Sequence, residues 1–210
     1  MSTDNPLANH AIVACGTLQA ELKVLAKSAF RAERILFTAP GLHERPKELA
    51  EQLFRQVAKA REASERVIVV YGAKCFIDSS DPARGMDALL QEQGPGLLRV
   101  KASNCIDMLV SAVERDRIAD GQKVYWLTPG WLKHWRYIFR DWDAGKANET
   151  FPMNDKAVLL DGIGFYEQYS LEKPEEILAF SDWMKIPIEP LPISLERLGK
   201  LISEASAQDR

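Results

Sequence analysis

The chain has 210 residues, enough for one ordinary domain or two small halves, and a globule of this size buries roughly 70% of its unfolded surface without needing staples. Its composition, 46% hydrophobic and 27% charged with 12 Gly and 11 Pro dispersed along the chain, excludes a collagen-like or largely disordered protein. With 27 Lys and Arg against 30 Asp and Glu, the formal net charge of −3 gives no electrostatic ground for nucleic-acid or membrane partners.

In chain order, short apolar or β-branched runs alternate with amphipathic stretches, which predicts an α/β fold of mostly parallel sheets covered by helices. Residues 11–14 form a first strand ending at Cys15-Gly16, and Leu18, Leu22, Leu25 and Ala29 mark the buried face of the helix behind it. Ile35-Leu36-Phe37 is a second strand, broken at Pro40-Gly41; a helix opens at Pro46 with Leu49, Leu53, Phe54 and Val57 inward. Residues 67–70 are continuously apolar, as in a strand buried on both faces, and lead into Tyr71-Gly72-Ala73-Lys74-Cys75. Residues 76–96, with Asp81-Pro82 and Gly94-Pro95-Gly96 around a short helix at 86–91, read as a linker. The second half runs as a strand at 97–102, Asn104-Cys105 and a helix, a strand at 124–127 stopped by Thr128-Pro129-Gly130, a helix from 131 to about 142, and a strand at 157–160. Helices near 174–184 and 195–206, joined by a proline-rich extended segment at 186–192, close the chain.

Cys105 lies 90 residues after Cys15, Pro129 89 after Pro40, and Gly162 90 after Gly72. The shared offset predicts two Rossmann-like βαβαβ halves, 10–80 and 97–170, related by an internal duplication, with a helical extension at 171–210. Coincidence among α/β modules of similar length is the plainer explanation.

All three cysteines fall just beyond a predicted strand end, where open α/β sheets build their ligand sites. Three thiols converging from separate loops make a ligand set for zinc or an iron–sulfur cluster, so Cys15, Cys75 and Cys105 are the candidate metal ligands. Packing as small apolar side chains is the bland alternative for any one of them. His43 is a candidate fourth ligand, or a helix cap or hydrogen-bond donor to a bound molecule. Lys74 and Asn104, beside two of the cysteines, are candidate cofactor-binding residues; Asp107 is explained by its place in a helical first turn. Trp131, Trp135, Ile138, Phe139 and Trp142 recur at helical spacing and read first as a core or docking face, secondarily as a wall for substrate. Residues 141–148 have the composition of a mobile loop. No dinucleotide fingerprint, phosphate loop, HExxH or GxSxG is complete, and no catalytic residue is assigned.

Ala14-Cys15-Gly16, Gly41-Leu42-His43, Tyr71-Gly72 with Cys75, Cys105-Ile106 and Leu127-Thr128-Pro129-Gly130-Trp131 together resemble the domain-of-unknown-function 1638 family over roughly residues 10–200. The chain departs from the commoner Tyr-Gly-x-Cys-Gly form, and Asn104 stands where an acidic or other polar residue often precedes the cysteine. The resemblance implies an association with corrinoid-dependent methyltransferases and one-carbon enzymes, hence a small-molecule substrate and a methyltransferase or corrinoid protein as partner; it supplies no catalytic residues. The expectation is a metal-binding protein, enzyme or not, with a non-catalytic ligand-binding or accessory module as the alternative and thiol catalysis third. With no apolar run near the ~20 residues of a membrane span and no signal-like pattern in residues 1–9, a cytoplasmic location is expected.

Overall fold

The computed structural model describes residues 7–208, so residues 1–6 of the stretch read for a targeting signal lie outside it. Among the described residues no helix is long and apolar enough to cross a membrane.

The order of elements is β1 (His10–Ala14), α1 (Gln19–Ser28), β2 (Arg34–Phe37), α2 (Pro46–Arg61), β3 (Arg66–Val70), α3 (Met86–Gln91), β4 (Leu97–Arg99), α4 (Cys105–Leu109) and α5 (Ala112–Ala119). There follow β5 (Val124–Leu127), α6 (Pro129–Ile138), α7 (Ala144–Thr150), β6 (Lys156–Asp161), α8 (Phe165–Glu172), α9 (Pro174–Met184), β7 (Ile188–Pro192) and α10 (Glu196–Ser206). The strands form two wholly parallel sheets, in the orders β2-β1-β3-β4 and β5-β6-β7. The fold is α/β, as the alternation of patterns predicts.

Side-chain alternation along the strands divides the interior into three cores. Ala11, Val13, Val67 and Val69 face α2 through Leu49, Leu53 and Val57. Their alternates Ile12, Ala14, Ile68 and Val70 turn the other way, into a central core with Leu18, Leu22 and Leu25 of α1, Leu198, Leu201 and Ile202 of α10, and Val158 and Leu160 of β6. That core holds the two sheets together. The opposite face of the second sheet, Ala157 and Leu159, packs under Trp131, Trp135, Ile138, Phe139, Phe151 and Phe180. The aromatic stripe of α6 is therefore spent inside the chain, with Trp131 and Trp135 each 6% exposed.

Four features correct or sharpen the sequence reading. β4, which opens the proposed second half, pairs with β3 and completes the first sheet, while β5 pairs directly with β6. The strand order of the first half is therefore not repeated in the second, and the shared offset is not expressed in the sheets. Residues 76–96 are no linker: Phe76, Met86 and Leu89 are buried, and an isolated antiparallel bridge joins Ile77 to Gly85. The proline-rich segment is β7, hydrogen-bonded to β6 along Ala157–Asp161. It lies at an edge of its sheet, where prolines are tolerated because one side of the strand has no ladder to supply. Residues 141–148 are likewise ordered, as α7 capped by Asp143, whose carboxylate accepts the Lys146 N–H at 2.8 Å.

Candidate functional site

In the first sheet the chain moves outward from β1 to β2, then crosses back to place β3 on the other side of β1. The carboxyl ends of β1 and β3 therefore flank a topological switch point, the place where such sheets leave a crevice. Cys15 follows β1 directly, Cys75 closes a 3-10 turn (Ala73–Cys75) after β3, and Cys105 is the first residue of α4 after β4.

Glycines let these loops touch. A methyl group at Gly72 would overlap the backbone of Ser103 and Asn104, so the β3 loop lies directly against the loop ahead of Cys105. Ala73 N–H donates to the Ala102 carbonyl at 2.9 Å and Lys74 N–H to that of Ser103 at 2.8 Å. A methyl at Gly130 would overlap the backbone of Thr17, and one at Gly16 would come within 2.5 Å of the Thr38 carbonyl oxygen. The Leu127–Trp131 signature acquires a physical meaning here. Thr128 caps α6 by accepting the Trp131 N–H at 3.3 Å and donates to the Thr17 carbonyl at 3.2 Å. Pro129 sits in the first helical turn, where its missing N–H costs nothing.

The side chains between these loops form a connected polar cluster. Thr17 Oγ1 donates to Cys15 Sγ at 3.1 Å. The Thr17 hydroxyl and the Trp131 side chain are also the hydrogen-bonding partners of the Cys105 sulfur. The buried Tyr71 hydroxyl pairs with Thr38 Oγ1 and lies against Cys15. Cys75 faces the backbone N–H groups of Gly72 and Cys105. All three cysteines are half-buried free thiols.

Cys75 and Cys105 are perturbed by their surroundings and by neighbouring thiols. Burial first, then the charge of Cys15, pushes the Cys75 thiol up to about 12, against the pull of the two backbone N–H groups and Arg99. Burial, followed by Cys75 and Cys15, drives Cys105 upward too, with Trp131 and Thr17 opposing. Without a cation, Cys75 and Cys105 are therefore neutral thiols at neutral pH. Among the described residues, no three or more His, Cys, Asp or Glu side chains stand in a ready metal cage.

The other candidate residues occupy the margin. His43, in a 3-10 turn at Leu42–Glu44, packs at a tilt against Trp131 with ring centroids 5.3 Å apart and has Nε2 3.5 Å from Glu44. Surrounding protein lowers its pKa, with Glu44 opposing. It is thus one ring removed from Cys105. Lys74 is exposed on the β3 loop. Asn104 caps α4, its side chain accepting the Asp107 N–H at 2.9 Å. Asp107 in turn accepts the Ser103 N–H at 2.9 Å, the structural role its position predicts.

Thr17, Thr38 and Tyr71, which sequence reading did not single out as site residues, lie among the thiol-bearing loops together with Trp131, read there first as a core residue and secondarily as a wall for substrate. Their signal is position: each lies within four residues of a strand end. Glu21 was also missed. It falls three residues after Leu18 and four before Leu25, on the apolar face of α1, and is fully buried.

No curated protein and no solved structure gave a significant match to this sequence. A family model described as a protein of unknown function, DUF1638, matches residues 37–202, which include Cys75, Cys105 and His43. That span is most of the chain, and the protein belongs to the DUF1638 family.

Proposed function

We propose that this protein binds a soft metal centre, zinc or an iron–sulfur cluster, through Cys15, Cys75 and Cys105, and presents an open position on it to a small molecule in the crevice. The observation that supports this reading is that three separate loops, each bearing a free thiol, close on one topological switch point, where Cys15 and Cys105 share Thr17 as a hydrogen-bonding neighbour and the charge of Cys15 is felt at Cys75 and Cys105. Thiolates are the ligands that such centres favour. Loading requires side-chain rotation and loss of the thiol protons, both of which the metal–sulfur bonds would repay. His43, on the far side of the Trp131 ring, would act as a fourth ligand or contact the bound molecule. Methyl transfer around a corrinoid, the setting implied by the family resemblance, is where a substrate and a protein partner would be sought.

The test is metal content and absorption of protein purified without oxygen, beside the triple Cys→Ser variant. Stoichiometric zinc or iron that disappears in the variant supports the proposal. A trace amount, equal in both proteins, removes it. A second reading, a metal-free ligand-binding module, is favoured by the hydroxyls of Thr17, Thr38 and Tyr71, which place polar partners around the same crevice. It predicts that ligand binding survives in the Cys→Ser protein and is lost in Tyr71→Phe.

A further inference from the structure

Among the described residues, one buried carboxyl group has no hydrogen-bond partner from any other residue. Glu21, in the first turn of α1, is 0% exposed, and only its own backbone N–H stands near its side-chain oxygens. Its place is the seam between the sheets. α1 continues from the Cys15–Leu18 turn, and its apolar face packs into the core shared with β6. Across that seam Asp161, at the carboxyl end of β6, is the charged neighbour whose field reaches Glu21. Asp161 is itself well held, accepting N–H bonds from Ile163 at 3.1 Å, Phe165 at 2.9 Å and Tyr166 at 2.8 Å.

Among the described residues, the other elements packed against α1 bring no compensating cation to Glu21. The preceding turn and the start of α6 contribute the uncharged Thr17 and Thr128. On α6, Lys133 is exposed and His134 half-buried. On α10, Arg197 is turned to Asp107 at 3.5 Å and Lys200 to Glu204 at 3.8 Å. Lys23 and Lys27, on α1 itself, face solvent.

An unpartnered buried carboxylate is costly, and an apolar or amide side chain of similar size would avoid that cost. We propose that Glu21 is a pH-sensitive latch on the seam: protonated, it lets α1 lie closed against the end of β6; ionised, it sets a second buried negative charge beside Asp161 and loosens α1 together with the thiol-bearing turn that precedes it. The burial that creates the latch also tunes it. Desolvation, then the charge of Asp161, raises the Glu21 carboxyl to about 7, opposed by its own backbone N–H. When the seam opens, Glu21 returns to an ordinary carboxylate value near 4.5. Between those two values the closed form holds the extra proton, so closure is favoured at low pH and lost as pH rises, levelling off above about 7.

The experiment uses metal-free full-length protein and does not depend on what the thiols bind. Amide hydrogen exchange of α1 and of the first turn of α8, corrected for intrinsic rates, is followed from about pH 5 to about pH 8 in wild type, Glu21→Gln and Glu21→Leu. The opening equilibrium of wild type should rise on the order of a hundredfold across this range, while both variants stay flat. Asp161→Asn should move the wild-type transition to lower pH. Infrared spectra at about pH 5 should show a protonated-carboxyl band that Glu21→Gln removes. A wild-type profile as flat as that of the variants, or the same rise in all three, would overturn the proposal, as would absence of the band. Alkylation of the cysteines, taken as the ratio of wild type to Glu21→Gln at each pH, should rise in parallel; a constant ratio refutes the link to the thiol turn.

Discussion

The contact that brings Cys75 to Cys105 runs through Gly72, and Gly72→Ala tests whether that contact is as tight as the structure requires. The residue has φ −81° and ψ 159°, a conformation open to any amino acid, so backbone strain is not at issue. Space is. The added methyl would overlap the backbone N–H of Asn104 and the carbonyl of Ser103, and neither can swing aside as a long side chain could. Overpacking costs about 1–3 kcal/mol. Separating the loops also weakens the bonds from Ala73 to Ala102 and from Lys74 to Ser103, each worth about 1 kcal/mol. Allowing for partial relaxation, the total is about 3 kcal/mol, or a melting point lower by roughly 5–10 °C for a chain of this length. Urea unfolding should show a lower midpoint at unchanged slope. Cys75, displaced from the Cys105 backbone, should react faster with an alkylating agent under native conditions. A variant within about 0.5 kcal/mol of wild type and with unchanged alkylation would refute the claim that glycine-limited contact builds the thiol cluster.

The same exchange at another glycine should act in the opposite direction. Gly199 lies inside α10, and a methyl there meets Leu25 at 3.6 Å, an ordinary contact, so Gly199→Ala should stabilise by about 0.5–1 kcal/mol in the same unfolding assay. Thr128→Val removes both the cap of α6 and the bond to the Thr17 carbonyl in a fully buried place. It should cost about 2–3 kcal/mol by urea unfolding and speed alkylation of Cys105. Phe151→Ala empties a fully buried position packed edge-on against Tyr125 at 4.9 Å, for a loss of about 3–5 kcal/mol. Phe151 reaches the thiol loops only at second hand, through Tyr125 and Phe139, so cysteine reactivity in the remaining folded protein should change less than in Gly72→Ala.

The parts of the fold that were legible in the sequence share one property: their signal is local. Val67–Val70 is apolar on both faces because helices or another layer cover both sides, and it proved to be β3. Val124–Leu127 carried equally clear boundaries. Pairing is a different matter. Leu97–Arg99 has no residue that states whether it will lie beside β3 or between β5 and β6; the choice depends on how the helices fill the space between the sheets. Pro190 and Pro192 lie in a segment read only as extended; that it pairs with β6 depends on its edge position, where prolines are tolerated. Phe76, Met86 and Leu89 were apolar within a segment read by its turns, and burial by tertiary packing outweighed the turn signals.

The site divides along the same line. By itself the sequence determined that three thiols follow three strands, because strand ends are marked by short apolar runs and their breakers. It also held Glu21 in the helical phase of Leu18 and Leu25, a conflict between charge and periodicity that is visible without coordinates. Tertiary structure decided which of these residues meet. The crossing from β2 over β1 to β3 set Cys15 and Cys75 side by side, and the close approaches at Gly72 and Gly130 drew in Cys105, Thr17 and Trp131. The packing of α1 against β6 sealed Glu21 from solvent and set it within the field of Asp161. Local pattern fixes what each segment offers; convergence and burial depend on contacts between residues far apart in the chain, which no short stretch encodes alone.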